Sequence, residues 1–196
     1  MTIDTKDMIN SIMGSLSRID YIKPSDIPNI DLYMDQVTTF MDTHLASSKR
    51  YPQDKILTKT MINNYAKNNL LPPPVKKKYT KEHLLVMIFI YYFKGILSIT
   101  DIQSLLTPIT EHYFHSQEFN IEDLYNEVFS LEKEQVERLQ KDILRAYQTS
   151  TDTFHQAPEE DQEFLKLFSF ICLLSFDVYV KKQLIEKLID ELPKKE

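Results

Sequence analysis

Only two glycines, Gly14 and Gly95, occur in the 196 residues, and they lie far apart. A P-loop or a dinucleotide-binding turn needs several glycines clustered where a strand meets a helix, so neither fits this chain. Hydrophobic residues make up 42% and charged residues 27%, the balance of a soluble, well-folded domain rather than a disordered segment. One cysteine, Cys172, leaves no disulfide within the chain and no Cys-rich zinc site. The opening MTIDTKDMINS has no basic stretch followed by an apolar one, so no signal peptide is expected and the location reads as cytoplasmic.

The longest apolar run, 165–180, is 16 residues long and contains Lys166 and Asp177. A bilayer span needs about 20 predominantly apolar residues, so no membrane partner is expected. The run reads as a helix buried in a core or a dimer interface, with Cys172 as a small buried hydrophobe.

Apolar residues recur at helical spacing through most of the chain. The pattern predicts helices over 5–18, 29–46 (Ile30, Tyr33, Met34, Val37, Phe40, Met41, Leu45) and 80–94. Thr58 suits an N-cap for a short helix ending near Asn68, and prolines 72, 73 and 74 impose an extended course after it. Gly95 is placed to end the 80–94 helix in a left-handed conformation, and Ser98 with Asp101 forms a capping box for the next one. Pro108 marks a boundary. A long pattern over 121–147 breaks near Ser130, and Pro158 with its acidic run opens a last helix through Leu188 to LPKKE.

Net charge is −6, but it is segregated. Residues 50–82 hold eight basic residues against Asp54 and Glu82, a local +6, leaving −12 elsewhere. Such segregation concentrates a positive field on one part of an acidic protein.

Inside that stretch, the 58–68 helix divides by face. Met61, Ile62, Tyr65 and Ala66 fall on one side; Lys59, Thr60, Asn63, Asn64 and Lys67 form a stripe on the other. Asparagine can bond adenine N6 and N7 bidentately, threonine can touch the thymine methyl, and lysine can neutralise phosphates. The plain alternative is a solvated face. Asparagine in a helix interior costs about 0.5 kcal/mol relative to alanine, so two adjacent ones favour a function.

INNYAKNNLLPP (62–73), KKYTKEHL (77–84) and SITDIQSLL (98–106) resemble the DNA-binding half of MerR-type winged-helix regulators. In that resemblance Ile62 and Tyr65 match the recognition helix, Leu70, Leu71, Pro72 and Pro73 its turn, and Lys77, Lys78 and Tyr79 the wing. Ser98, Ile99 and Ile102 match the last helix. Asn63, Asn64 and Asn69 stand where that family has Arg, Tyr and Gly, although Asn69 can still adopt a left-handed conformation. LYMDQV, LTKTMINNY and LLPPPVKKKY are similar to an uncharacterised bacterial family, domain of unknown function 1836, over about residues 20–190.

The expected fold is mainly α: a MerR-like winged helix-turn-helix followed by an all-helical C-terminal region. The expected division is a DNA-binding region with N-terminal helices over 1–108 and a helical region for core packing, dimerisation or effector binding over 109–196. The expected function is sequence-specific binding of double-stranded DNA as a transcriptional regulator. Thr60, Asn63 and Asn64 are expected to read bases, and Lys59, Lys67, Lys76, Lys77 and Lys78 to hold phosphates, with Tyr79 of the wing. A homodimer and a small-molecule effector are the further expected partners, and no cofactor is implied. Glu111, His112, His115 and Glu118 have spacings that one helical face could use for a metal, but no third firm ligand backs the histidine pair. No nucleophile is paired with a base, so catalysis is not expected. The alternative is a helical protein–protein interaction module that has lost DNA binding.

Overall fold

The computed structural model describes residues 5–16 and 21–193 and is mainly helical. In chain order the elements are α1 (Thr5–Leu16), β1 (Leu32–Tyr33), α2 (Met34–His44), α3 (Lys59–Lys67), β2 (Lys78–Tyr79) and α4 (Lys81–Phe93). They continue as α5 (Ile99–Tyr113), α6 (Ile121–Ser130), α7 (Glu132–Thr151) and α8 (Glu159–Asp190). The chain forms two units. Unit one takes the segment up to residue 20 and residues 131–187; unit two takes 21–130 and the residues from 188 onward.

Unit two is built around α4. Leu84, Leu85, Val86, Met87, Ile88, Phe89 and Ile90 are all buried, so this helix is apolar on nearly every side and is covered all round. Val37, Phe40 and Met41 of α2, Ile62 and Tyr65 of α3, Ile102 and Leu106 of α5, and Ile121 and Tyr125 of α6 complete the core. Stacked and tilted rings of Tyr21, Phe89, Tyr125 and Phe129 fill one part, and the Tyr125 hydroxyl donates to the Ile22 carbonyl at 2.7 Å. In unit one, Ile9 and Phe170 are the buried hydrophobic side chains among the described residues. The Phe170 ring meets Tyr147 of α7 edge-on at 5.6 Å.

Several expectations are met. Ser98 and Asp101 cap α5 reciprocally, with N–H to oxygen distances of 3.1 and 3.2 Å. The 121–147 pattern breaks at Leu131, and α8 opens behind Pro158. The helix expected over 5–18 is seen as α1, its last two positions lying outside the described residues.

Others need correction. The helix expected over 29–46 starts at Met34, and Ile30 is exposed. The chain before it is drawn out because Leu32 and Tyr33 pair antiparallel with Tyr79 and Lys78, and backbone pairing outweighs local helical preference. Gly95 does not take a left-handed conformation. The amides of Ile96 and Leu97 instead close a turn on the Phe93 carbonyl at 2.9 Å each. α5 runs through Pro108 to Tyr113, so the expected boundary falls inside a helix. Proline removes the bond to the Ser104 carbonyl, but both residues are exposed and water can take that acceptor. Cys172 is half-buried rather than enclosed. Among the described residues no helix is long and apolar enough to cross a membrane.

Candidate nucleic-acid interface

α3 is short and defined at both ends. The Thr58 hydroxyl accepts the Met61 N–H at 3.2 Å, the expected N-cap. At the other end Asn69 has φ 54°, its amide donates to the Ala66 carbonyl at 3.3 Å, and the Leu70 amide donates to the Tyr65 carbonyl at 2.9 Å. This pair of bonds is a Schellman motif with asparagine in the position glycine favours. Leu70 and Tyr65 are buried beneath it, and Ile62 is fully covered. Burial on that side fixes which side faces out.

Thr60, Asn63, Asn64 and Lys67 are all exposed. Among the described residues the side-chain amides of Asn63 and Asn64 make no hydrogen bond, and Lys67 has no acidic partner. Asn64 does contribute its carbonyl, which accepts the Asn68 side-chain amide at 2.8 Å. Lys59, at the start of the stripe, is engaged: its ammonium pairs with the Asp35 carboxylate of α2.

The three prolines lead into a tight turn over 75–78. Lys78 N–H donates to the Val75 carbonyl at 2.9 Å, and Lys76 and Lys77 have φ 50° and 64°. Positive φ at both central residues is the pattern of a type I′ turn, where Asn-Gly is usual. Two lysines there hold an unfavourable backbone, at about 1–2 kcal/mol each. Both side chains are exposed, and among the described residues neither has an acidic partner. Lys78 is half-buried, its ammonium 5.3 Å from the centre of the Tyr33 ring.

One segment ties these parts together. Asp35 holds Lys59 of α3, and Tyr33, two residues earlier, lies under Lys78 of β2. The start of the α3 stripe and the base of the lysine turn therefore meet the same short stretch, 33–35. Sequence reading missed Tyr33 and Asp35. The sequence offers only the aspartates Asp31, Asp35 and Asp42 in and beside α2, which name no partner.

Tyr79 packs its ring inward from β2. Its side chain points into the core, with the residue 3% exposed, and burial raises the phenol pKa. Its ring stands edge-on to His83 at 5.5 Å, and the His83 ring in turn meets Phe114 edge-on at 4.8 Å.

His83 is fully buried behind this surface. Its Nδ1 accepts the Thr80 N–H at 3.0 Å, which leaves the ring proton on Nε2. Nε2 is buried with no hydrogen-bond partner. Burial is the main cause that lowers the pKa to about 4, against the nearby Pro73 and Pro72 carbonyls, so the ring is neutral at pH 7.

The histidines considered for metal go to separate partners. His112 Nδ1 lies 2.7 Å from the Pro108 carbonyl, and His115 pairs with Glu82 at 2.6 Å. Among the described residues no group of three or more His, Cys, Asp or Glu side chains could hold a metal ion.

A family model described as domain of unknown function (DUF1836) matches residues 22–128. The match falls within the 21–130 segment of unit two and contains α3, the lysine turn and His83. No curated protein and no solved structure matches the chain.

Proposed function

The chain belongs to the DUF1836 family, and from that premise we propose that it is a sequence-specific, double-stranded DNA-binding protein, a transcriptional regulator with a MerR-like winged helix-turn-helix. One observation carries the proposal: α3 turns two unbonded amides and a threonine hydroxyl to solvent, with lysines at both ends of the stripe. A helix fits the major groove, where amides can pair with adenine and a threonine methyl can meet thymine. In this reading Thr60, Asn63 and Asn64 read bases.

Lys67, Lys76 and Lys77 hold phosphates, with Lys59 and Lys78 able to join once they leave Asp35 and Tyr33. The strained lysine turn supports this assignment. A turn selected only for shape would use residues that tolerate positive φ, so the two cations serve something beyond the backbone. The protein acts as a homodimer on two half-sites, which multiplies affinity and specificity.

Selection from random duplex DNA, followed by titration at several salt concentrations, tests the proposal. It expects an enriched motif and, with about five phosphate contacts per subunit, a slope of log K against log salt of roughly −4 to −5. Binding without an enriched motif would remove base reading. No retention of any duplex would leave the protein-interaction module, which the net charge of −6 and the Lys59–Asp35 pair favour.

A further inference from the structure

The connection from α2 to α3, over 45–58, is long for two helices that pack on each other, where about 2–8 residues are usual. It is held near both ends by α4. Ser48 lies near its start, and Ile56 near its end, two residues before the Thr58 cap of α3. The Ser48 hydroxyl donates to the Leu45 carbonyl at 2.6 Å, so the Tyr91 hydroxyl of α4 is the donor to Ser48. Lys94, at the end of α4, donates from its ammonium to the Ile56 carbonyl at 2.7 Å.

Ile56 is buried, and among the described residues nothing else donates to its carbonyl. A buried carbonyl without a partner is costly, so this connection depends on Lys94. Lys94 gives up water to serve it. The residue is half-buried, burial lowers its pKa, and among the described residues no carboxylate pairs with it. Its ammonium lies 4.6 Å from the centre of the Tyr91 ring, at the helix end that favours a cation. An ammonium so placed adds little stability, since an apolar side chain of similar volume often does as well. What it supplies is position, because a charge-assisted hydrogen bond is short and strong.

We propose that Lys94 is a positioning residue for α3, fixing through the Ile56 carbonyl the angle at which Thr60, Asn63 and Asn64 leave the surface. α3 has 9 residues, too few to be stable alone, so its placement comes from what holds it. Ile62 and Tyr65 bury one side, and the anchored entry just before Thr58 sets the tilt. Bidentate bonding to a base edge depends on that tilt, whereas phosphate pairing by the flexible Lys67, Lys76 and Lys77 tolerates a shift. Lys94 makes no bond to any of these residues. What α3 presents rests on the DNA-binding reading; how α3 is held does not.

The test compares full-length wild type, Lys94→Met and Lys94→Arg by thermal melting, amide hydrogen exchange, and competition between the duplex selected by the wild type and a mismatched one. In Lys94→Met the expected melting temperature is close to that of the wild type. Amides over 57–62 exchange faster while those of α4 do not. Preference for the selected duplex falls about 10-fold, with affinity for the mismatched duplex nearly unchanged. Lys94→Arg keeps a charged donor and is expected to restore the preference. Full preference in Lys94→Met would overturn the proposal. A Lys94→Met chain that does not fold, or that loses affinity for both duplexes alike, would make Lys94 merely structural and overturn it too. If the wild type prefers no duplex, the DNA-binding reading fails and exchange decides the clamp: faster exchange over 57–62 upholds Lys94 as the anchor of α3, and unchanged exchange removes it.

Discussion

The ammonium of Lys59, first residue of α3, is paired with the carboxylate of Asp35 on α2, and both side chains stay largely exposed, at 62% and 75%. An exposed pair of this kind adds less than about 1 kcal/mol to stability. Its consequence is electrostatic. Asp35 competes with a phosphate for Lys59 and repels the phosphate itself. Asp35→Asn is therefore expected to tighten duplex binding, make the salt slope steeper by about 1, and leave the melting temperature nearly unchanged. Titrations at three salt concentrations, alongside a thermal melt, check all three.

Base reading and phosphate holding separate by variant. Asn63→Ala is expected to reduce discrimination between the preferred site and its variants by about 1–3 kcal/mol, with the salt slope intact. Lys76→Gln with Lys77→Gln is expected to do the reverse, lowering affinity for all duplexes and the slope by about 2. Competition binding with matched and mismatched duplexes distinguishes them. Equal loss on every sequence for Asn63→Ala would remove that residue from base reading.

The lysine turn opposes stability to function. Lys77→Gly relieves a residue at φ 64°, and relief of a left-handed residue outweighs the added entropy of the unfolded chain. The expected result is a gain of up to about 1 kcal/mol in urea unfolding, with weaker duplex binding. A loss of stability would show that the Lys77 side chain supports the fold.

Gly95 is not left-handed, and a Cβ there would meet nothing within 4 Å. Gly95→Ala is expected to stabilise the protein by about 0.4–1 kcal/mol, chiefly by restricting the unfolded chain. Chemical denaturation measures it directly.

His83 makes stability depend on pH. Its folded pKa of about 4 lies below the ordinary 6.5, so between those values the unfolded chain takes up a proton that the folded chain does not. The contribution is complete above pH 6.5, shrinks as pH falls, and is lost by pH 4. The whole shift corresponds to about 3 kcal/mol. Urea midpoints measured from pH 7 to pH 5 are expected to fall for the wild type and to change less for His83→Phe. Equal slopes would mean that other groups carry the pH dependence.

What the sequence determined by itself is local. Thr58 caps α3, Asn69 turns left-handed at its end, Ser98 and Asp101 close their box, and Ile62 and Tyr65 face inward while Asn63 and Asn64 face out. Each follows from a few neighbouring residues: a hydroxyl three positions before an amide, or apolar side chains at one helical spacing. Helical turns bond to themselves, so their pattern is written where it acts.

Tertiary structure decided the rest, because those outcomes depend on residues far away in the chain. Leu32 and Tyr33 become a strand because Lys78 and Tyr79 supply the pairing, and the same pairing helps hold the Tyr79 ring against the core. Lys59 meets Asp35 across the long connection between α2 and α3, although nothing near either residue announces it. Residues 131–187 join the N-terminal segment in one unit, and Phe164, Phe168 and Tyr179 of α8 are left exposed there. A hydrophobic pattern shows that a face seeks burial. Only packing shows whether the chain itself provides the cover.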